Sequence, residues 1–289
     1  MNIRDWPLLV FTLSIQFSVG VVLLYDLFLL FPIFRKKEKL QLRFQMILLT
    51  ALIAAFAGVL FSLLHLGNPV NALKTLSNLN NSWLSREILF VIIYSGLLLI
   101  ITGLQFLFPV SVRSYKWLLD ITSLTGLVLV YVMSRIYWIH SMPAWDSIFT
   151  PIDFYLAMLL FGSSFLLLFQ LNSGSWASQK RLAILIIAIP IIQLGLLPVH
   201  MSWLEASGDS ARQSVSLLLN QYLPAFYLRL GFEILTVAFG FWAFFSIQSN
   251  TLKRRNLFIP ALLAFITAVG ALVIDRFLFY AQHLPVMGF

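Results

Sequence analysis

The stretch 65-HLGNPVNALKTLSNLNNSWLSRE-87 joins two long apolar segments. One segment ends on His65, and the next opens on Arg86 and Glu87, so titratable groups sit where two membrane helices would begin and end. The segments around it decide the fold class. The chain is 60% hydrophobic and only 10% charged, far from the balance of a water-soluble domain. Apolar runs near the roughly 20 residues that cross a hydrocarbon core of about 30 Å as helix recur along its whole length. Their continuous apolarity, without the alternation of barrel strands, predicts helices, because lipid offers a backbone no partners outside the segment itself.

The expected architecture is therefore an all-α membrane protein, one anchor domain over residues 1–289 built as a bundle of eight transmembrane helices. The spans fall at about 8–34, 44–66, 86–108, 117–140, 152–172, 182–203, 225–247 and 257–280. The N-terminal apolar run has no small-residue cleavage site behind it and reads as a first span. Basic residues set the orientation. Arg35, Lys36, Lys37, Lys39 and Arg43 follow span one; Arg113 and Lys116 follow span three; Lys180 and Arg181 follow span five; Lys253, Arg254 and Arg255 follow span seven. Short loops rich in Lys and Arg stay cytoplasmic, which predicts both termini on the outer side of the membrane. The net charge of +8 has the same origin, since no basic stripe with interleaved aromatics points to nucleic acid.

The longer connections, near 67–85, 141–151 and 204–224, lie on the opposite side from these basic loops, and function is expected there. Prolines mark that rim at Pro69, Pro143, Pro151, Pro198 and Pro224, while Pro190 falls inside span six, where it is expected to kink the helix. With no cysteine, the chain offers no thiolate for an iron–sulfur cluster and no covalent haem attachment. All four histidines, His65, His140, His200 and His283, lie at or just beyond the outer ends of spans, so a haem pair stacked across the bilayer is excluded. No lysine lies mid-span to form a Schiff base, and no HExxH, GxSxG or P-loop pattern is present.

Intramembrane charges are functional by default because burying them is costly. Arg229 and Glu233, four apart on span seven, read as an intrahelical pair. Arg135, Asp275 and Arg276 read as snorkelling or interhelical pairs. The rim then leaves His65, Glu87, Arg135, Tyr137 and His140 as candidates. Quinol oxidation needs an acceptor for each hydroxyl proton, an apolar cleft and an exit for protons to water. A neutral imidazole at His65 can take one proton, and a partly desolvated carboxylate at Glu87 the other. The same residues have plain structural readings: His65 capping carbonyls or resting among headgroups, Glu87 favoured by the helix dipole in a first turn, Ser85 as an N-cap.

Several separated stretches resemble the membrane anchor subunit of the bacterial dimethyl sulfoxide reductase family: 5-DWPLLVFT-12, 65-HLGNP-69 with 84-LSREI-88, 135-RIY-137 with 143-PAW-145 and 148-IFTP-151, and 276-RFLFYAQH-283. The resemblance covers nearly the whole chain. It implies a haem-free anchor in the bacterial inner membrane, with both termini on the periplasmic side and no metal of its own, that oxidises menaquinol in anaerobic respiration. It also implies two partners on the periplasmic face, a four-cluster iron–sulfur subunit and a molybdopterin catalytic subunit that carries out the terminal reduction. The family's quinol-site histidine and glutamate fall on His65 and Glu87. Gly67, Lys74, Arg86, Arg135 and Tyr137 are the supporting candidates. The basic residue expected after the HLGxP pattern is Asn71 here, with Lys74 the nearest substitute. Two other readings stay open: a polysulfide- or nitrite-reductase-type anchor coupling quinone chemistry to ion movement through Asp26, Asp120, Glu233 and Asp275, and a secondary transporter hinted at by Pro190, Gly162 and Gly240.

Overall fold

The computed structural model describes residues 6–29, 37–65, 75–108, 112–169, 176–248 and 255–282, with the backbone alone for 29, 37–43, 65, 75, 112–113 and 255–256. Among them the chain forms α1 (Trp6–Leu29), α2 (Lys37–His65), α3 (Trp83–Leu107), α4 (Lys116–Arg135), α5 (Phe149–Phe169), α6 (Trp176–Ala206), α7 (Asp209–Asn220), α8 (Leu223–Gln248) and α9 (Arg255–Ala281). There is no strand among these residues. Eight of the helices are long and apolar enough to cross a membrane, as expected from the continuous apolar runs. The chain is thus an all-α, multi-pass membrane protein. The exception is α7, whose 12 residues reach only about 18 Å.

The boundaries differ from expectation where local chemistry intervenes. Helix α3 begins at Trp83, because Ser82 is its N-cap and accepts the amide of Ser85 at 3.3 Å. Ser85 is therefore a buried first-turn residue and not the cap. Helix α4 stops at Arg135, five residues short of the expected end, and the chain passes into successive tight turns through Trp145. Tyr137 and Trp145, both buried, are drawn out of helical register by an aromatic cluster described below, and Pro143 prevents the helix resuming. The expected loop at 204–224 contains α7. Pro7, Pro151 and Pro224 each sit in the first turn of a helix, where a missing amide proton costs nothing.

Helix α1 is the centre of the bundle, with 72% of its span buried against 33–56% for the others. It packs on α2, α4, α5 and α9. The α1–α5 crossing is backbone on backbone: a Cβ on Gly20 would overlap the carbonyl of Met158, and one on Gly162 the carbonyl of Gly20. Hydrogen bonds cross the apolar packing at a few points. Ser18 donates to the carbonyl of Ala51 at 2.8 Å and lies 2.8 Å from the Tyr94 hydroxyl, tying α1 to α2 and α3. Asp26 of α1 meets Lys116 of α4 at 2.7 Å. Helices α5, α6, α8 and α9 pack beside this group in the order α5–α6–α8–α9, with α9 returning to α5. Antiparallel alternation gathers the ends of α2, α4, α6 and α9, the starts of α1, α3, α5 and α8, and all of α7 at one end of the bundle, called the rim below.

Candidate functional site

Helix α3 points one face inward, the face that carries Ser85, Glu87, Val91, Tyr94 and Leu98. Glu87 is thereby carried into the protein, 8% exposed, just beyond the capped first turn. The dipole of the helix start does not account for it, since Glu87 is the fifth residue of α3 and that effect falls off within the first turn. Arg86, the next residue back, points elsewhere. It donates to the carbonyls of Leu79 and Asn80 at 2.8 and 2.7 Å and lies 4.3 Å from the centre of the Trp83 ring. Its role is to fasten the 3₁₀ turn at Thr75–Asn78 and the chain after it to the start of α3.

Arg135 also sits on Trp83, at 5.1 Å, and on Trp138 at 3.5 Å. The two guanidinium groups and two indoles thus join α3 to the end of α4. Each such contact contributes about 0.5–2 kcal/mol, more as water is excluded. These arginines neither snorkel nor pair with a carboxylate among the described residues; they stack.

Tyr137 follows directly and turns into the protein. Its ring meets those of Trp145, Phe279 and Phe154 at 5.3, 5.1 and 5.7 Å, and its hydroxyl lies 2.5 Å from that of Tyr280 on α9. Trp145 donates its indole N–H to the carbonyl of Phe279 at 2.8 Å, closing the cluster over the end of α9. Burial, the neighbouring Tyr280 phenol and the carboxylate of Glu87 together hold the Tyr137 phenol well above its ordinary range, so it remains a donor. Glu87 acts electrostatically on Tyr280 as well. A buried carboxylate, two phenols and an aromatic wall therefore share one corner of the rim.

Of the residues singled out in the sequence, the structure brings Glu87 and Tyr137 together and places Arg86 and Arg135 at the edge of that corner. His65 is the last residue of α2, at the same end of the bundle; its side chain, with Gly67, Asn71, Lys74 and His283, lies outside the described residues. His140 does not join them. It falls beyond α4, its side chain 98% exposed, bonded only to Asp146 at 2.5 Å among the described residues. Tyr280 was not foreseen, although it lies within 276-RFLFYAQH-283; its signal is a hydroxylated aromatic four residues beyond a buried arginine.

Charged residues deeper in the bundle form a second group. Arg229 bonds Glu233 at 3.0 Å, as its spacing predicts, and also Asp275 of α9 at 2.9 Å. Arg276 does not snorkel. It is fully buried over the Phe154 ring at 3.9 Å, with Gln16 at 3.4 Å and Asp153 at 3.7 Å. A cavity of about 90 Å³ lies beside this group, between α5, α6, α7, α8 and α9, and not against Glu87. No cluster of three or more His, Cys, Asp or Glu side chains suited to a metal ion occurs among the described residues.

Residues 1–282 match the family described as the DMSO reductase anchor subunit (DmsC). The protein is 29% identical over 290 residues to the C chain of the anaerobic dimethyl sulfoxide reductase of Escherichia coli K12. It is 27% identical over 291 residues to the polypeptide of the same name from Haemophilus influenzae Rd, and 27% over 295 residues to the YnfH chain of an anaerobic dimethyl sulfoxide reductase of E. coli K12. Each match covers 98% of this chain and 96% of the relative.

Proposed function

This chain belongs to the DMSO reductase anchor subunit family, and on that premise we propose that it binds and oxidises menaquinol at the rim of the bundle, with His65 and Glu87 as the two proton acceptors. The observation that carries the reading is the placement of Glu87: a carboxylate turned inward near the start of a spanning helix, within electrostatic reach of the hydrogen-bonded Tyr137 and Tyr280 phenols. An apolar wall of this kind suits a quinol ring, while the acceptor and donors fix its hydroxyl edge. In the bacterial inner membrane the substrate enters laterally from lipid.

Oxidation breaks both hydroxyl O–H bonds. The two protons go to His65 and Glu87 and on to water at the rim, and the two electrons pass to an iron–sulfur subunit docked there, then to a molybdopterin catalytic subunit. Tyr137 and Tyr280 hold the geometry around Glu87. Arg86 and Arg135 brace the rim through Trp83, while Gly67 and Lys74 belong to the adjoining loop. Protons are released on the face where the terminal reductase consumes them, so this step builds no gradient of its own.

The test is His65→Arg in the assembled complex. Assembly with quinol-dependent reduction abolished, while reduction from a dye that feeds the partner subunits directly persists, supports the reading. Unchanged quinol-dependent reduction overturns it.

A further inference from the structure

The cavity between α5 and α9 is built, not incidental. Its deep wall carries Asp153, Gln193, His200, Arg229 and Asp275, and the rest of its lining is mainly aliphatic. Gln193 is 5% exposed. Its amide N–H donates to Asp153 at 3.2 Å while its Oε1 has no partner; Nε2 of His200 is likewise buried and unpartnered. Buried polar atoms in native proteins are satisfied by protein or by water. A space of this size has room for several waters, and each needs two to four polar partners, which this wall supplies.

The roof is α7. Gly208, at φ +119°, reverses the chain after α6 in a conformation that side-chain-bearing residues rarely adopt, and α7 folds back so that Val215 and Leu218 close over the cavity. The ring of His200 lies against Phe149, stacked at 4.6 Å.

Below the cavity the polar groups continue inward for a limited distance. Arg229 leads to Glu233, whose Oε2 is buried without a partner, and one turn further Thr236 donates to Thr267 at 3.0 Å. From there toward the far end, α8 as far as Gln248 and α9 back to Leu257 carry no ionisable side chain, nor does α6 between Arg181 and His200. Carboxylates outnumber cations around the cavity: Glu233 and Asp275 are buried and Asp153 is 27% exposed, against Arg229 and Arg276.

We propose that this cavity is a water site and a one-sided proton inlet: Gln193 and His200 hold a small water cluster through which Asp275 and Glu233 exchange a proton with the solution at the rim, while the apolar lower half of the helices closes the other side. The site is separate from the corner around Glu87 and is independent of the reading given for that corner.

Hydroxyl-radical footprinting of the whole complex in lipid nanodiscs tests it, because radicals formed from internal water label the side chains beside that water. Leu278 and Phe279 wall the cavity and are shielded from bulk solvent; Phe154 is buried in the same aromatic cluster but outside the cavity. Leu278 and Phe279 are expected to be labelled and Phe154 to be spared. Protection of all three alike, from a dry cavity or one filled by a lipid tail, overturns the proposal, and the unsubstituted complex suffices for this result. Infrared spectroscopy provides a second readout. A carboxylic acid C=O band that shifts promptly in D₂O, is lost in Asp275→Asn or Glu233→Gln, and shifts slowly in Gln193→Leu is expected. A band unaffected by both carboxylate substitutions, or no such band, removes the proton from the site.

Discussion

Glu87→Gln isolates proton acceptance from every other contribution of that side chain. The amide has the volume of the carboxyl group and can still hydrogen-bond, so packing on the inward face of α3 is retained. The helix start is also untouched, because Ser82 and not Glu87 caps it. What is lost is an acceptor able to take a proton from a quinol hydroxyl, and a positioned general base contributes roughly 10²- to 10⁴-fold. Turnover in quinol-dependent reduction by membranes carrying the assembled complex should therefore fall by about 100-fold or more, with quinol-analogue affinity changed far less. Two controls sharpen the result. Ser82→Ala should cost about 1 kcal/mol of helix stability and leave turnover near wild type. Dye-dependent activity of the partner subunits should be unchanged by either substitution. Turnover of the Glu87→Gln complex within a few-fold of wild type would refute the role given to this carboxylate.

Tyr137→Phe keeps the ring contacts with Trp145 and Phe279 but strips the hydroxyl from its 2.5 Å partner Tyr280. It should destabilise the subunit by about 1–3 kcal/mol and lower quinol turnover, read as a drop in both Tm and kcat. Asp275→Ala leaves Arg229 with one of its two carboxylate partners and should cost about 3–5 kcal/mol, whereas the triple change Arg229→Met, Glu233→Leu and Asp275→Leu, which leaves no member of the group unpaired, should recover much of that loss; thermal unfolding of the two complexes measures the difference. Gly20→Ala forces a methyl into the carbonyl of Met158 at the α1–α5 crossing. It should cost about 1–3 kcal/mol and reduce the yield of assembled complex, while Gly96→Ala, with open space around it, should not.

The eight spans were legible because hydrocarbon leaves an isolated backbone one solution, and the residues that punctuate it, Pro151 and Pro224 among them, announce helix starts. The pairing of Arg229 with Glu233 was legible because four residues is one helical turn. The inward direction of Glu87 was not. A helix apolar on nearly all sides gives no moment from which to choose a face, and α3 buries Glu87, Val91, Tyr94 and Leu98 by tertiary packing alone. The same limit hid the partnership of Tyr137 with Tyr280, which lie 143 residues apart. Helix α7 left a readable trace, since Ala211, Ser214, Val215 and Leu218 fall at helical spacing on its buried side. A short amphipathic helix of this kind has no long apolar run to mark it, so it lies within the expected loop at 204–224. The end of α4 was placed too late for a related reason: Tyr137 looks as apolar in sequence inside a helix as it does in an aromatic cluster outside one.

Coupling of quinol chemistry to ion movement across the membrane would require proton-carrying groups at intermediate depth, and their distribution argues against it. On α4, Asp120 and Arg135 are separated by 15 residues, about 22 Å of helix, and no acid, histidine, lysine or arginine lies between them. The described parts of α1, α2 and α3 are equally bare between the level of Glu87 and that of Asp26. Three of the hydroxyls in this interval are committed to backbone, Ser18 donating to Ala51, Thr102 to Leu98 and Thr122 to Leu118, while that of Ser95 is buried without a partner and too isolated to form a file on its own. Asp26 itself is held by Lys116, which also contacts Asp120, a closed arrangement that locks α1 to α4 at the end away from the rim. On the other side of the bundle, the charges around Arg229 stop at Glu233 and the Thr236–Thr267 pair. Both groups of acids therefore lie toward the same end of the bundle, and each is separated from the other end by a layer of mainly hydrocarbon side chains, through which proton passage is costly.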